Sequence, residues 1–330
     1  LVPAITSAKE PYQVAESADE IKFATPTLEA TIRKKGYVSG IAAGTFVDKK
    51  TGFRDAGFGL DIVDWIMEPG SDEAYRDKLH EEMVYQFGND YHGKRPKRSI
   101  EGPQICTKAK ELSPEVIPGK DFVAVRQSFQ YQTAAPGKKT GSKWTQTIVF
   151  PESKRYFVSS DRIDAVNDSP AMFLRIDMPG HIKHKEGDSF SAVFLSYFDQ
   201  PIPSKEFLTN FAPDEKFNYR RDAWQAAGKR LPERIIRGYK LRDPATGKEG
   251  PWLLGMTLDP TIVSEAWCHQ RSYVCMIEEF GERPIKAGEH FSAAFIVGYF
   301  DTLDEAAKVY DEHKGASGLE ASEAGWKLTK

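Results

Sequence analysis

Cysteine is scarce in this 330-residue chain, and the three that occur, Cys106, Cys268 and Cys275, form no CxxC pair and have no zinc-ligand spacing. A chain of this length buries an adequate core without covalent staples, so its stability does not ask for disulfides. Cys268 and Cys275 lie an odd number of positions apart; on one regular strand they face opposite sides and cannot bridge without a break. A bridge from Cys106 stays open. Excess positive charge is missing too: a net charge of -3 and a pI near 6.2 exclude a general nucleic-acid binder, leaving polyanion binding to local patches. No apolar run approaches the length that crosses a bilayer. The chain has no GxSxG elbow, no P-loop, no HExxH and no GxGxxG leading into a helix; "SGIAAG" (39–44) runs into a strand and turn. No cofactor is therefore expected, with room left for a divalent metal. The opening "LVPAITSAKE" lacks the parts of a signal peptide. It suits a mature chain after signal removal, or a short appended segment, and a secreted or periplasmic location is the expectation.

What the chain does have is aromatic residues, with 20 Phe, 13 Tyr and 6 Trp, in short alternating runs bounded by Gly, Pro, Asp and Asn. "FVAVRQSFQYQT" (122–133), "KWTQTIVF" (143–150), "KRYFVSSDRI" (154–163), "AMFLRIDM" (171–178) and "PWLLGMTL" (251–258) read as strands of an antiparallel protein. The fold class is mainly β, an antiparallel β-sandwich with a few peripheral helices. Helical periodicity is confined to 72–87, 220–231 and 302–314; in the last, Thr302 stands three before Glu305, a capping-box spacing. Residues 25–314 are expected to form a single elaborated sandwich, with 1–24 an N-terminal extension and 315–330 a polar C-terminal tail pinned on the surface by Trp326.

One internal repeat aligns "KEGDSFSAVFLSYFD" (185–199) with "KAGEHFSAAFIVGYFD" (286–301). Each copy is preceded by a strand and a polar loop, and reads as a hairpin that turns at a Gly-acid pair and returns into an aromatic strand. The period of about a hundred residues is too long for a solenoid and suits two lobes of one sandwich. A long all-β chain with such KxGExF hairpins, and polar side chains along one strand face, resembles the galactose-mutarotase-like supersandwich proteins of carbohydrate metabolism, over roughly residues 25–300. The resemblance implies a concave sheet that holds a sugar; members include sugar epimerases, hydrolase accessory domains and polysaccharide lyases.

Two stretches concentrate usable chemistry. "SEAWCHQRSYVCMIEEF" (264–280), read as one strand, lines Glu265, Trp267, His269, Arg271 and Tyr273 on one face, opposite a smaller and more apolar set. His269 and Tyr273 are base and acid candidates near neutral pH, Arg271 offers a planar fork for a carboxylate, and Trp267 offers a stacking platform. "GNDYHGKRPKRSIEGPQICT" (88–107) gathers Tyr91, His92, Lys94, Arg95, Lys97, Arg98 and Glu101 in a segment that its Gly and Pro residues mark as irregular. A third stretch, "DMPGHIKHKEGD" (177–188), carries His181 and His184; a metal there would need further ligands, from Asp177, Asp188 or elsewhere.

The leading expectation is a polysaccharide lyase acting on a uronate-containing, acidic polymer by β-elimination. Arg271 would neutralise the carboxylate, and His269 with Tyr273, or His92 with Tyr91, would supply base and acid. Lys94, Arg95, Lys97 and Arg98 would hold neighbouring acidic sugars, with Glu265 and Glu101 beside them. Both assignments require segment 88–107 to fold over strand 265–277. The alternatives are a glycoside hydrolase using two carboxylates from Glu101, Glu265 and Asp177, a mutarotase-like epimerase, and a non-catalytic carbohydrate-binding protein in which Trp267, Tyr273 and Arg271 hold a glycan.

Overall fold

Alternating apolar residues close into two large antiparallel sheets packed face to face. The computed structural model describes residues 11–81, 83, 95–213, 215–270 and 273–330, with 269 and 270 through their backbone alone. One nine-stranded sheet runs Ile202–Pro203, Phe190–Leu195, Ile235–Arg242, Glu249–Thr257, His290–Phe300, Tyr156–Asp164, Lys143–Pro151, Phe122–Gln130, Glu115–Pro118. The eight-stranded sheet runs Thr133–Ala134, Lys97–Gly102, Ile62–Pro69, Ser169–Asp177, Tyr273–Ile285, Val263–Gln270, Tyr219–Arg220, with Ile182–Lys183 paired onto Tyr273–Ile285. The inward faces supply one continuous core: Val63, Ile66, Leu174, Ile176, Ala266, Cys268, Val274 and Met276 from the smaller sheet meet Val123, Ile148, Phe157, Tyr239, Phe295 and Val297 from the larger. Each large aliphatic or aromatic side chain so buried contributes roughly 1.5–3 kcal/mol.

The other face of the larger sheet is covered as well. Helix Leu303–His313 lays Ala306 and Tyr310 on Val158, Leu254, Met256 and Ile296. Its start is the expected one, with the Thr302 hydroxyl accepting from the Glu305 N–H at 3.1 Å. The C-terminal residues pair as a hairpin, Gly318–Ser322 with Gly325–Thr329, whose Leu319 and Trp326 pack on Ile117, Phe122 and Val149.

Two carboxyls sit inside the sandwich: Asp61, just before strand Ile62–Pro69, and Asp161 of strand Tyr156–Asp164 are fully buried and close enough to perturb each other. Burial raises Asp61 to about 6, and burial together with the charge of Asp61 pushes Asp161 well above the usual carboxylate range. The Trp144 indole donates to Asp161 Oδ1 at 2.8 Å.

Several expectations change. The repeat is real in geometry, because in both copies the acid side chain accepts from the lysine N–H (Asp188 to Lys185, 2.7 Å; Glu289 to Lys286, 2.8 Å) around a left-handed glycine, Gly187 or Gly288. Neither copy is a hairpin, however. Each passes from the eight-stranded sheet (Ser169–Asp177, Tyr273–Ile285) to the nine-stranded one (Phe190–Leu195, His290–Phe300), so the repeat joins the layers. The expected helix over 72–87 is replaced, in its described part, by turns and a 3-10 helix at Arg76–Lys78. In that described part charged residues outnumber apolar ones, and docking of an apolar face is what stabilises most helices. The helix at 220–231 shortens to Arg221–Ala226. Segment 88–107 is not irregular throughout: Lys97–Gly102 is a strand of the eight-stranded sheet and Ile105–Lys108 a helical turn.

Candidate functional site

The outer face of the eight-stranded sheet is where charge collects. Residues 264–280 are not one strand but an antiparallel hairpin, Val263–Gln270 and Tyr273–Ile285, in the register Trp267 to Ile277 and His269 to Cys275. This register pairs odd with odd positions, so Glu265 and Trp267 share the outer face with Tyr273, Cys275, Ile277 and Glu279, while Ala266, Cys268, Val274 and Met276 join the core. From the neighbouring strand come Phe173, Arg175 and Asp177. From the far side comes Lys97.

Lys97 shows how strongly this face is curved. Its strand stands three places from Tyr273–Ile285 in the sheet order, about 14 Å on a flat sheet. Yet Lys97 Nζ lies 2.5 Å from Glu265 Oε2 and 2.6 Å from Glu279 Oε2, with the Trp267 ring centroid at 5.0 Å and that of Phe173 at 5.7 Å. The sheet is therefore concave outward. Arg175 grips Glu279 Oε1 through Nε at 2.9 Å and Nη2 at 2.7 Å, and stands over Trp267 at 5.4 Å. Burial works against ionisation of Glu279, but Lys97 and Arg175 outweigh it and hold that carboxyl low. Glu265 is raised by burial, against the pull of Lys97 and with a push from Glu279. All six side chains of this cluster are buried, Trp267 to 1 % exposure, so the expected open stacking platform is a floor of the concavity.

Of the basic segment, Arg95 and Lys97 reach the hairpin, where carboxylates meet their charges. Arg95 pairs with Glu282 and lies 3.6 Å from Glu265; Arg98 pairs with Glu68 at 2.7 Å. Glu101 is fully buried, accepting from the Ser142 N–H at 3.0 Å and the Asn167 amide at 3.1 Å. None of these described cations faces the surface without a carboxylate of its own. Tyr91, His92, Lys94 and Arg271 lie outside the described residues, as does the His269 side chain. A cavity of about 260 Å³ opens beside the cluster, lined by Pro69, Gly70, Arg95, Pro96, Lys97, Phe173 and Glu282.

At the other end the face opens to solvent. Asp64, Tyr37, Phe58, Gln104, His181 and Tyr273 are all partly exposed there. The Gln104 amide donates to Asp64 Oδ1, and the Cys106 thiol lies 4.0 Å from the same oxygen. Burial raises Asp64 to about 6; Arg175 and the Gln104 bond oppose this, and the charge of Glu279 adds to it. Phe58, His181 and Tyr273 form an edge-to-face group with centroids 4.9 to 5.9 Å apart. His181 Nε2 lies 2.8 Å from Asp177 Oδ2 and 3.3 Å from Cys275 Sγ. His184 instead accepts from the Gly187 N–H in the repeat's turn. The three cysteines are free and buried.

Asp64, Arg175, Glu279, Gln104 and Cys275 were not among the sequence candidates. A signal for one of them was present: Glu279, beside Glu278, interrupts the apolar run of its strand, whereas Arg175 alternates with Leu174 and Ile176 as an ordinary outward-facing residue does.

No family model matches this chain, and no curated protein matches it in sequence. Among solved structures it is similar to a protein of Escherichia coli K12 provisionally named an aldose 1-epimerase (8 % identity, 88 % of this chain and 100 % of that one, TM-score 0.45). It is also similar to a galactose 1-epimerase from Lactobacillus acidophilus NCFM (9 %, 88 % and 98 %, 0.42) and to a GH36 α-galactosidase from Geobacillus stearothermophilus (12 %, 91 % and 44 %, 0.38). Likeness at this level transfers neither a substrate nor a catalytic residue.

Proposed function

We propose that the chain is a carbohydrate-active enzyme of the aldose 1-epimerase type, with its sugar at the open end of the concave face. The observation that carries this reading is Asp64: a partly exposed carboxyl on the concave face, oriented by the Gln104 amide, with burial raising its proton affinity to about 6. Such a surface, mostly aromatic with a few fixed polar groups, suits a small polyhydroxylated ligand.

Interconverting anomers needs a proton removed from the 1-hydroxyl and one delivered to the ring oxygen. Protonated Asp64 does both at once. Its O–H gives a proton to the ring oxygen while its other oxygen takes the proton of the 1-hydroxyl. The bond from C1 to the ring oxygen breaks, leaving an open-chain aldehyde and a carboxyl that still holds one proton. Rotation about C1–C2 and the reverse transfer close the other anomer. A carboxyl of affinity near 6 is well placed for this, because proton exchange is most efficient when the group's affinity is close to ambient pH.

The elimination reading depends on His269 with Tyr273, or His92 with Tyr91, and on Arg271, of which only Tyr273 has a described side chain; the paired states of Arg95, Lys97 and Arg98 weigh against an acidic polymer. The test is a panel. Magnetisation transfer between the α and β anomers of common aldoses is followed with and without the protein, beside ultraviolet absorbance on uronate polymers and reducing-end release on neutral glycans. Accelerated anomer exchange supports the proposal. Unsaturated uronate or new reducing ends without anomer exchange overturn it.

A further inference from the structure

Asp177, His181 and Cys275 each offer one ligand atom, and the three atoms lie within 4.8 Å of one another. They come from three separate pieces of chain: the end of strand Ser169–Asp177, the loop after it, and strand Tyr273–Ile285. The loop is fixed by backbone bonds on both sides, from the Met178 N–H to Met276 O (2.9 Å), from Asp61 to Pro179 O (2.8 Å) and from Lys183 to Ala56 O (3.0 Å). Gly180 permits the clamp: a Cβ there would stand 2.1 Å from Gly59 O. Beneath it the Arg237 guanidinium donates to the carbonyls of Met178 and Ile277 at 2.8 and 2.6 Å. The triad is therefore rigidly placed.

Its hydrogen bonding is unfinished. His181 Nε2 is the shared contact of both Asp177 Oδ2 and Cys275 Sγ, although one ring nitrogen has only one proton or one lone pair to offer. Asp177, 5 % exposed, keeps Oδ1 without a partner, and His181 Nδ1 has none either. Neither the carboxylate nor the ring is therefore held by a second hydrogen-bond partner, and only the crowded contact at Nε2 occupies them.

We propose that Asp177 Oδ2, His181 Nε2 and Cys275 Sγ bind a zinc-like divalent cation. Carboxylate, imidazole and thiolate together are the ligand set of a borderline-soft metal. With bonds of 2.0 to 2.3 Å, ligand atoms around tetrahedral zinc stand roughly 3.3 to 3.8 Å apart. The contacts of 2.8 and 3.3 Å need only sub-ångström opening to reach that. Two anionic ligands and one neutral one cancel the charge of the ion, which suits a buried position. Binding releases the carboxyl and thiol protons to solvent. The nearby guanidiniums do not oppose the ion freely, since Arg175 is paired with Glu279 and Arg237 with Glu278. This site does not depend on the sugar reading.

The probe is Co²⁺ alone, titrated into the full chain, followed by Zn²⁺ in competition. The expected result is one equivalent of cobalt with thiolate-to-metal charge-transfer and tetrahedral ligand-field bands, displaced by zinc. Cys275→Ser and His181→Gln should weaken binding at least tenfold, while Cys268→Ser, on the core face of the same hairpin, should not. On the unaltered protein, zinc should also protect Cys275 from alkylation, mapped by peptide mass. Absent bands, bands that persist in Cys275→Ser, or equal Cys275 labelling with and without zinc would each overturn the proposal.

Discussion

Lys97 and Glu265, 168 positions apart in sequence, meet at 2.5 Å in the floor of the concave face, with both side chains almost fully buried. Lys97 also neutralises Glu279, so its removal strands two carboxyls in a desolvated site. Lys97→Met is expected to destabilise the protein by about 3–5 kcal/mol, the usual consequence of breaking a buried pair from one side. Adding Glu265→Gln should recover part of that loss. Urea unfolding of the two single variants and the double variant checks this; full additivity would show that the pair is not coupled.

Asp61 makes stability depend on pH in the opposite sense to a salt-bridged carboxylate. Its folded affinity, about 6, lies above its ordinary value of 3.8, so the folded state holds the proton more tightly. That stabilisation is fully present below about pH 4 and fades as pH rises through about 6, a change on the order of 3 kcal/mol. Asp61→Asn removes this dependence. Its stability relative to the unaltered protein should therefore rise between pH 4 and pH 8, measured by chemical unfolding; a constant difference would contradict the assignment.

Thr302 caps helix Leu303–His313 by accepting from the Glu305 N–H. Thr302→Ala should cost about 1 kcal/mol, and Thr302→Ser much less, read as shifts in the unfolding midpoint. Because the helix covers the outer face of the nine-stranded sheet, away from Asp64, anomer exchange should be unchanged.

The fold was legible where period-two alternation meets turn residues, as in residues 122–133 and 143–150, and the helix at 302–314 was legible from its capping box. The single strand at 264–280 was wrong, because the two residues between the paired strands, Arg271 and Ser272, are not the Gly or Asn that signal a hairpin in sequence. The grouping of Glu265, Trp267 and Tyr273 on one face nevertheless survived, because the hairpin's register pairs odd with odd positions. Burial was the harder quantity. Lys97, Arg175 and Glu279 look like surface charges in sequence, and only the curvature that brings distant strands together makes them a buried network. Cys275 is separated from His181 by 94 positions, so no spacing rule could have joined them.

If protonated Asp64 is the shuttle, kcat/KM for anomer exchange should be level below about pH 6 and fall about tenfold per pH unit above it. A rate that rises through the same range would instead mark the carboxylate as the active form and contradict concerted transfer.

The most direct test of the sugar reading is magnetisation transfer between the anomers of the best aldose, with Asp64→Asn and Asp64→Glu beside the unaltered protein and circular dichroism showing all three folded. The account predicts that Asp64→Asn loses exchange by about 10²- to 10⁴-fold, while Asp64→Glu, which keeps a carboxyl, retains part of it. Exchange undiminished in a folded Asp64→Asn protein would contradict the assignment of Asp64 and the mechanism built on it.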